Sequence, residues 1–292
     1  MKISHMLWGA VLALCLAAPA DAGIIFGSTA AGAAGELYTI NPATGAMIQD
    51  VGPLNDSGGQ NYGMTGLAFH PVTGVLYGST HNLSTAPAGT LARLVTINPA
   101  TAQVAVIGEF AAGNEGRPAT MTDLAFDSAG NLFGVGSVGG PQLYSINPAT
   151  GKATLIGGTG LTSTTGGGLA ISSTGTFYGT PTASRFGTYN PVTGAYTDID
   201  NPTKPVGGGY GALDFDENGV LFGMNVGAGS PPPTHLVSID PATGTVTDIG
   251  ASVASLDAIA VLVPEPGSAI VLFAGSALLA LRPNRGRRSS SN

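Results

Sequence analysis

The residues in this chain best suited to chemistry are acids. Asp214-Phe215-Asp216-Glu217-Asn218-Gly219 opens like a calcium loop, in which oxygens at alternate positions converge on a hard cation. The twelfth position of that pattern is Asn225 rather than Glu, and Asp216 to Gly219 also reads as an ordinary Asp-to-Gly turn. Calcium on Asp214, Asp216 and Asn218 therefore stands beside a purely structural reading. Two more acids, Asp123 and Asp257, fall with Tyr210 at the starts of short apolar segments. The four histidines, His5, His70, His81 and His235, show no metal-ligand spacing. The chain has no G-x-S-x-G elbow, H-E-x-x-H helix or phosphate loop, and Gly-Gly-Gly at 166–168 and 207–209 reads as strand entrances.

Two patterns, each used five times, must position these acids. The first is Ile40-Asn41-Pro42-Ala43-Thr44-Gly45, which recurs from Ile97, Ile146, Tyr189 and Ile239 with small changes. Asn or Asp caps a turn, Pro presets φ, and Gly takes the left-handed conformation, so each copy is a hairpin tip. The second is Ile25-Phe26-Gly27, echoed by Leu76-Tyr77-Gly78, Leu132-Phe133-Gly134, Phe177-Tyr178-Gly179 and Leu221-Phe222-Gly223. Four of these are preceded by Leu67-Ala68-Phe69, Leu124-Ala125-Phe126, Leu169-Ala170-Ile171 and Leu213-Asp214-Phe215. Taking these as strands A (Leu-Ala-Phe) and B (Phe-Gly), with C and D flanking each hairpin tip, the unit is a four-stranded antiparallel meander.

Chain order then gives the count. Strands B, C and D come first, over 24–52, followed by four complete units over 64–108, 121–157, 166–200 and 210–250. The missing first A strand reappears at the far end as Ile259-Ala260-Val261. The expected fold is an all-β, five-bladed β-propeller over residues 23–262, closed by its C-terminal strand. A solenoid offers no reason for the displaced strand.

In such a meander, the A–B and C–D turns share one side of the disc, and the longer B–C and D–A connections share the other. Variable loops on a rigid frame are where binding usually sits. Asp123, Tyr210 and Asp257 are accordingly the expected ligand-face residues at the channel mouth on the long-loop side. Five-bladed glycosidases place paired carboxylates around such a channel, which makes a hydrolase or lactonase the alternative to a noncatalytic binding protein. Asp214 is the odd one, since it occupies the slot filled by Ala68, Ala125, Ala170 and Ala260. A carboxylate there needs a partner, and backbone amides are the expected one.

Composition narrows the partners. Only 9% of residues are charged, and between Gly23 and Leu262 five basic residues face fifteen acids. That balance argues against nucleic acid and anionic lipid surfaces as partners of this region. The single cysteine, Cys15, lies in the leader, so the remainder forms no disulfide and no cysteine metal site. No resident cofactor is expected beyond the calcium alternative.

Both ends carry targeting patterns. Residues 1–22 read as a signal peptide, with Lys2, the apolar run Leu7 to Ala18, and Ala20-Asp21-Ala22 as the site for signal peptidase. At the other end, Val263, Pro264, Glu265 and Pro266 precede the apolar run Ala269 to Leu281 and then Arg282, Arg285, Arg287 and Arg288. The run is short for a transmembrane helix, and the arginines would stay cytoplasmic with the repeats outside.

This tripartite tail, residues 263–292, resembles the PEP-CTERM sorting signal of exosortase-processed proteins in Gram-negative bacteria. The resemblance covers about the last 30 residues and implies export, transient anchoring in the inner membrane, and processing near Pro264-Glu265-Pro266 by an exosortase. The expected protein is thus an exported surface or matrix propeller that contacts exopolysaccharide or another surface protein through its long loops.

Overall fold

Twenty strands among the described residues form five antiparallel sheets of four. The computed structural model describes residues 23–30, 34–80, 92–110, 121–136, 140–162 and 166–262. The expected leader (1–22), the sorting tail (263–292), His81 and much of the long-loop set lie outside these residues.

Blade 1 consists of β20 (Leu256–Val261), β1 (Ile25–Thr29), β2 (Glu36–Ile40) and β3 (Met47–Pro53). Blade 2 holds β4 (Met64–Phe69), β5 (Leu76–Thr80), β6 (Arg93–Ile97) and β7 (Val104–Glu109). Blade 3 holds β8 (Met121–Phe126), β9 (Leu132–Gly136), β10 (Gln142–Ile146) and β11 (Ala153–Gly158). Blade 4 runs through β12 (Gly168–Ile171), β13 (Phe177–Thr180), β14 (Phe186–Tyr189) and β15 (Tyr196–Asp200). Blade 5 runs through β16 (Gly209–Phe215), β17 (Leu221–Val226), β18 (Thr234–Ile239) and β19 (Val246–Ala251).

The last strand closes the first blade as the count requires. β20 pairs antiparallel with β1, Phe26 opposite Ala260 and Gly27 opposite Ile259. The five A strands, β4, β8, β12, β16 and β20, then follow one another around a common axis. Their central residues Leu67, Leu124, Leu169, Leu213 and Ile259 are buried between blades, each worth about 1.5–3 kcal/mol of transfer free energy.

Each hairpin tip is capped as its sequence predicts. The Asn41 side-chain oxygen accepts the Ala43 N–H at 2.8 Å, and Asp240 does the same for Ala242 at 2.8 Å. The closing glycines have a second duty, because the outer strand of the preceding blade passes against them. A Cβ on Gly151 would stand 2.8 Å from the Gly108 carbonyl oxygen, and one on Gly45 would stand 2.5 Å from that of Gly250. In blade 2 the position is Ala102, with φ of 57°, buried in the same core as Leu54 and Tyr62.

The two fivefold patterns interlock. The strand-B glycine leaves room for the large residue that opens the hairpin phrase: a side chain at Gly179 would overlap the Tyr189 ring, and one at Gly134 would meet Ile146 at 2.9 Å. Every D strand also carries a bulge, at Val51, Ile107, Ile156, Ile199 and Ile249. The bulge turns that apolar side chain back onto a blade core.

Candidate axial binding site

An inner strand has one edge paired within its blade and the other facing the axis, where backbone groups need partners. Side chains at the A-strand bulges supply some of them. Thr65 Oγ1 donates to the Met121 carbonyl at 2.6 Å, and Thr122 Oγ1 to the Gly167 carbonyl at 3.2 Å. Gly167 N–H continues the circuit to the Tyr210 carbonyl at 3.1 Å.

Asp123 supplies the rest from the centre. Its Oδ2 accepts the N–H of Leu169 at 2.8 Å and of Leu213 at 3.1 Å, and its Oδ1 accepts that of Leu124 at 2.9 Å. One fully buried carboxylate thereby joins blades 3, 4 and 5. Burial pushes its pKa well above the usual carboxylate value, and the three amide bonds oppose that rise.

The expected ligand face is therefore corrected at two of its three residues. Asp123 is sealed inside rather than open at the long-loop mouth. Tyr210 is likewise buried, its hydroxyl donating to the Thr203 carbonyl at 2.5 Å and so tying down the connection into β16. Asp123 follows the bulged Thr122 of β8, and Tyr210 precedes the bulged Gly211 of β16. Asp257 is the exception. It is the bulged residue of β20, it lies against Gly211, and burial raises its pKa to about 6.

The three channel acids do not converge on one point, since they occupy different levels of the inner strands. Asp214 sits farthest towards the turn side. Its Oδ1 accepts the Phe215 N–H at 2.9 Å and its Oδ2 the Val261 N–H at 2.8 Å, joining blades 5 and 1 as backbone hydrogen bonding predicted. Burial raises its pKa to about 7.

The calcium reading fails on geometry. Asp216 Oδ1 accepts the N–H groups of Asn218 at 2.9 Å and Val220 at 2.7 Å, while its Oδ2 takes the Asn218 side-chain amide at 3.3 Å. Asp127 caps the equivalent turn of blade 3 through Ala129 and Asn131. His70 does so in blade 2, its Nδ1 accepting from Val72 and Thr73. Among the described residues, no group of three His, Cys, Asp or Glu side chains could hold a metal ion. His235, in β18, faces Asp248 at 2.9 Å.

Sequence reasoning missed the side chains that set the loop roots. Asn225 is buried, accepts the Val206 N–H at 3.0 Å, and donates to the carbonyls of Gly207 and Gly209. Asn61 holds both backbone groups of Gly35. The available signal was a polar residue at or next to the end of an apolar B strand, as at Thr29, Thr80 and Asn225, which accept the backbone N–H groups of Glu36, Arg93 and Val206.

A concave site does lie on the axis, but at the turn side. Its volume is about 270 Å³ and every blade contributes to it. The wall is apolar, built from Phe69, Phe126, Ile171, Phe215 and Val261, with Asp214 among them. The rim carries His70, Asp127, Asp216 and Glu217. A wider hollow of about 840 Å³ flanks the hairpin tip of blade 2, where the one acid, Asp56, is engaged by Gly58, Gln60 and Tyr62.

A family profile described as a repeat of unknown function (DUF6923) matches residues 54–230, more than half of the chain. The chain belongs to the DUF6923 family. The DUF6923 match opens at Leu54, after β3, and ends at Ser230, after β17, so it takes in blades 2, 3 and 4 whole. No curated protein matches the chain.

Among solved structures, a Bacteroides thetaiotaomicron VPI-5482 protein of unknown function is similar at 14% identity and a TM-score of 0.46. The alignment covers 78% of this chain and 64% of that one, so the DUF6923 chain spans less than two thirds of that relative's length. A Bacteroides caccae protein of unknown function is 11% identical with a TM-score of 0.45, over 82% of this chain and 99% of that one. A protein named as a candidate gluconolactonase is 14% identical with a TM-score of 0.47, over 82% and 81%. The five-bladed assignment rests on the strand pairing itself.

Proposed function

We propose that this DUF6923 protein is an exported, noncatalytic binding propeller of the Gram-negative cell surface or matrix, which contacts exopolysaccharide or a surface protein through its long-loop face. Signal peptidase removes the leader after Ala22. An exosortase processes the tail near Pro264-Glu265-Pro266 after transient anchoring in the inner membrane.

The observation that carries this reading is the gap in blade 1. Its A–B turn is missing, and in its place the two ends of the ring leave side by side, with the Leu262 N–H bonded to the Ile24 carbonyl at 2.9 Å. In this reading a tail anchored downstream of Leu262 leaves from the short-turn side, opposite the long-loop face. The roots of the long connections are held by Asn61, Asn225 and Tyr210, which gives variable loops a fixed frame. Asp123 and Asp214 are engaged with backbone amides, which suits a scaffold better than acid–base work.

The test is an array of bacterial exopolysaccharides probed with the purified exported protein, alongside mass mapping of its C-terminus. Saturable binding without product release, and a terminus near Pro264 to Pro266, are expected. Turnover of a sugar or lactone overturns the noncatalytic reading, and an intact tail on the released protein overturns the sorting.

A further inference from the structure

We propose that the cavity at the turn-face end of the axis binds a small alkylammonium group, its positive head on Asp214 and its carbons against Phe69, Phe126 and Phe215. This site lies opposite the long-loop face and does not depend on the reading above.

The first argument is that the fold does not ask for this carboxylate. Four blades fill the same inner-strand slot with Ala68, Ala125, Ala170 and Ala260, and close the same ring. Asp214 alone projects an acid there, and each of its oxygens accepts one backbone N–H. A carboxylate has about four lone-pair sites, so acceptor capacity remains for a ligand.

The second argument is charge. Asp127, Asp216 and Glu217 line the mouth and no lysine or arginine does. His70 is the one basic group at the rim, and its Nδ1 lone pair is occupied by Val72 and Thr73 amides. An anion would meet four acids, whereas a cation is drawn in.

The third argument is the wall. Three phenylalanines from three blades border the cavity. Aromatic surface joined to one carboxylate is the chemistry that selects an ammonium carrying carbon substituents over a hydrated metal ion. At about 270 Å³ the space suits a ligand of a few carbons.

The test is calorimetric titration of the purified protein with butylammonium, tetramethylammonium, butanol and butyrate at pH 6 and pH 8. Binding of the two cations and neither of the others is expected, about tenfold tighter at pH 8 as Asp214 ionises. Asp214→Asn should weaken butylammonium at least tenfold and flatten the pH dependence. Ser128→Lys, an exposed rim change that removes no hydrogen bond in the structure, should weaken it through repulsion even if the first variant fails to fold. Butanol binding as well as butylammonium, or full affinity retained in Ser128→Lys, overturns the proposal.

Discussion

The Asp123 carboxylate on β8 accepts the backbone N–H of Leu213 on β16 at 3.1 Å, across 90 positions of the chain. With Leu169 bound to the same oxygen, a single side chain fastens three blades at their inner edges. Removing it leaves three buried amides without an acceptor. Asp123→Ala is therefore expected to lower unfolding stability by about 3–5 kcal/mol, read from urea denaturation. Asp123→Asn, which keeps one acceptor oxygen, should lose less.

The axial acids also set a pH dependence. Burial raises Asp214 to about 7 and Asp257 to about 6, above an ordinary value of 3.8, and raises Asp123 as well. The folded state thus holds protons that the unfolded state has released. The contribution is full below pH 4 and is lost as pH rises through 6 and then 7. Asp56 and Asp240, lowered by backbone hydrogen bonds, act in the opposite sense but at the surface and below pH 4. Melting temperature should therefore be higher at pH 5 than at pH 8, and Asp214→Asn should reduce the difference.

Gly211 fits against Asp257 with nothing to spare. A Cβ at position 211 would overlap the Asp257 carboxylate and stand 2.6 Å from its backbone oxygen. Gly211→Ala is expected to cost about 1–3 kcal/mol in thermal or urea unfolding. Adding Asp257→Ala should recover only part of this, because the backbone contact remains.

The turn at Asp216 predicts indifference to calcium. Chelator should leave the melting temperature unchanged, since the Asp216 oxygens are taken by the Asn218 and Val220 amides and the Asn218 side chain. Asp216→Ala should instead lower stability by about 1–2 kcal/mol with or without calcium, because two backbone amides lose their cap.

The architecture was legible because it is written five times. The hairpin phrase, the Phe-Gly strands and the stray Ile259-Ala260-Val261 fixed strand order, blade number and closure, all from local turn chemistry and alternation. Asp214 was legible as well, as an acid in an alanine slot. Asp123 carried the same signal, aligned with Gly66, Gly168, Ala212 and Ala258, yet its neighbours in sequence suggested a loop mouth. Whether an inner-strand residue points along the axis or into a blade depends on a bulge, and a bulge leaves no mark in composition. The turn-face cavity was hidden for a similar reason. Its wall joins one or two residues from each of five distant segments, so no single stretch of sequence carries its apolar character.

Amide hydrogen exchange of the ring ends tests the closure most directly. Peptides covering β20 (Leu256–Val261) and β1 (Ile25–Thr29) should be protected to the same degree as the inner strands β8 and β12, and should open only with global unfolding. Exchange of β20 within seconds, while blades 2 to 4 stay protected, would contradict a ring closed by its last strand.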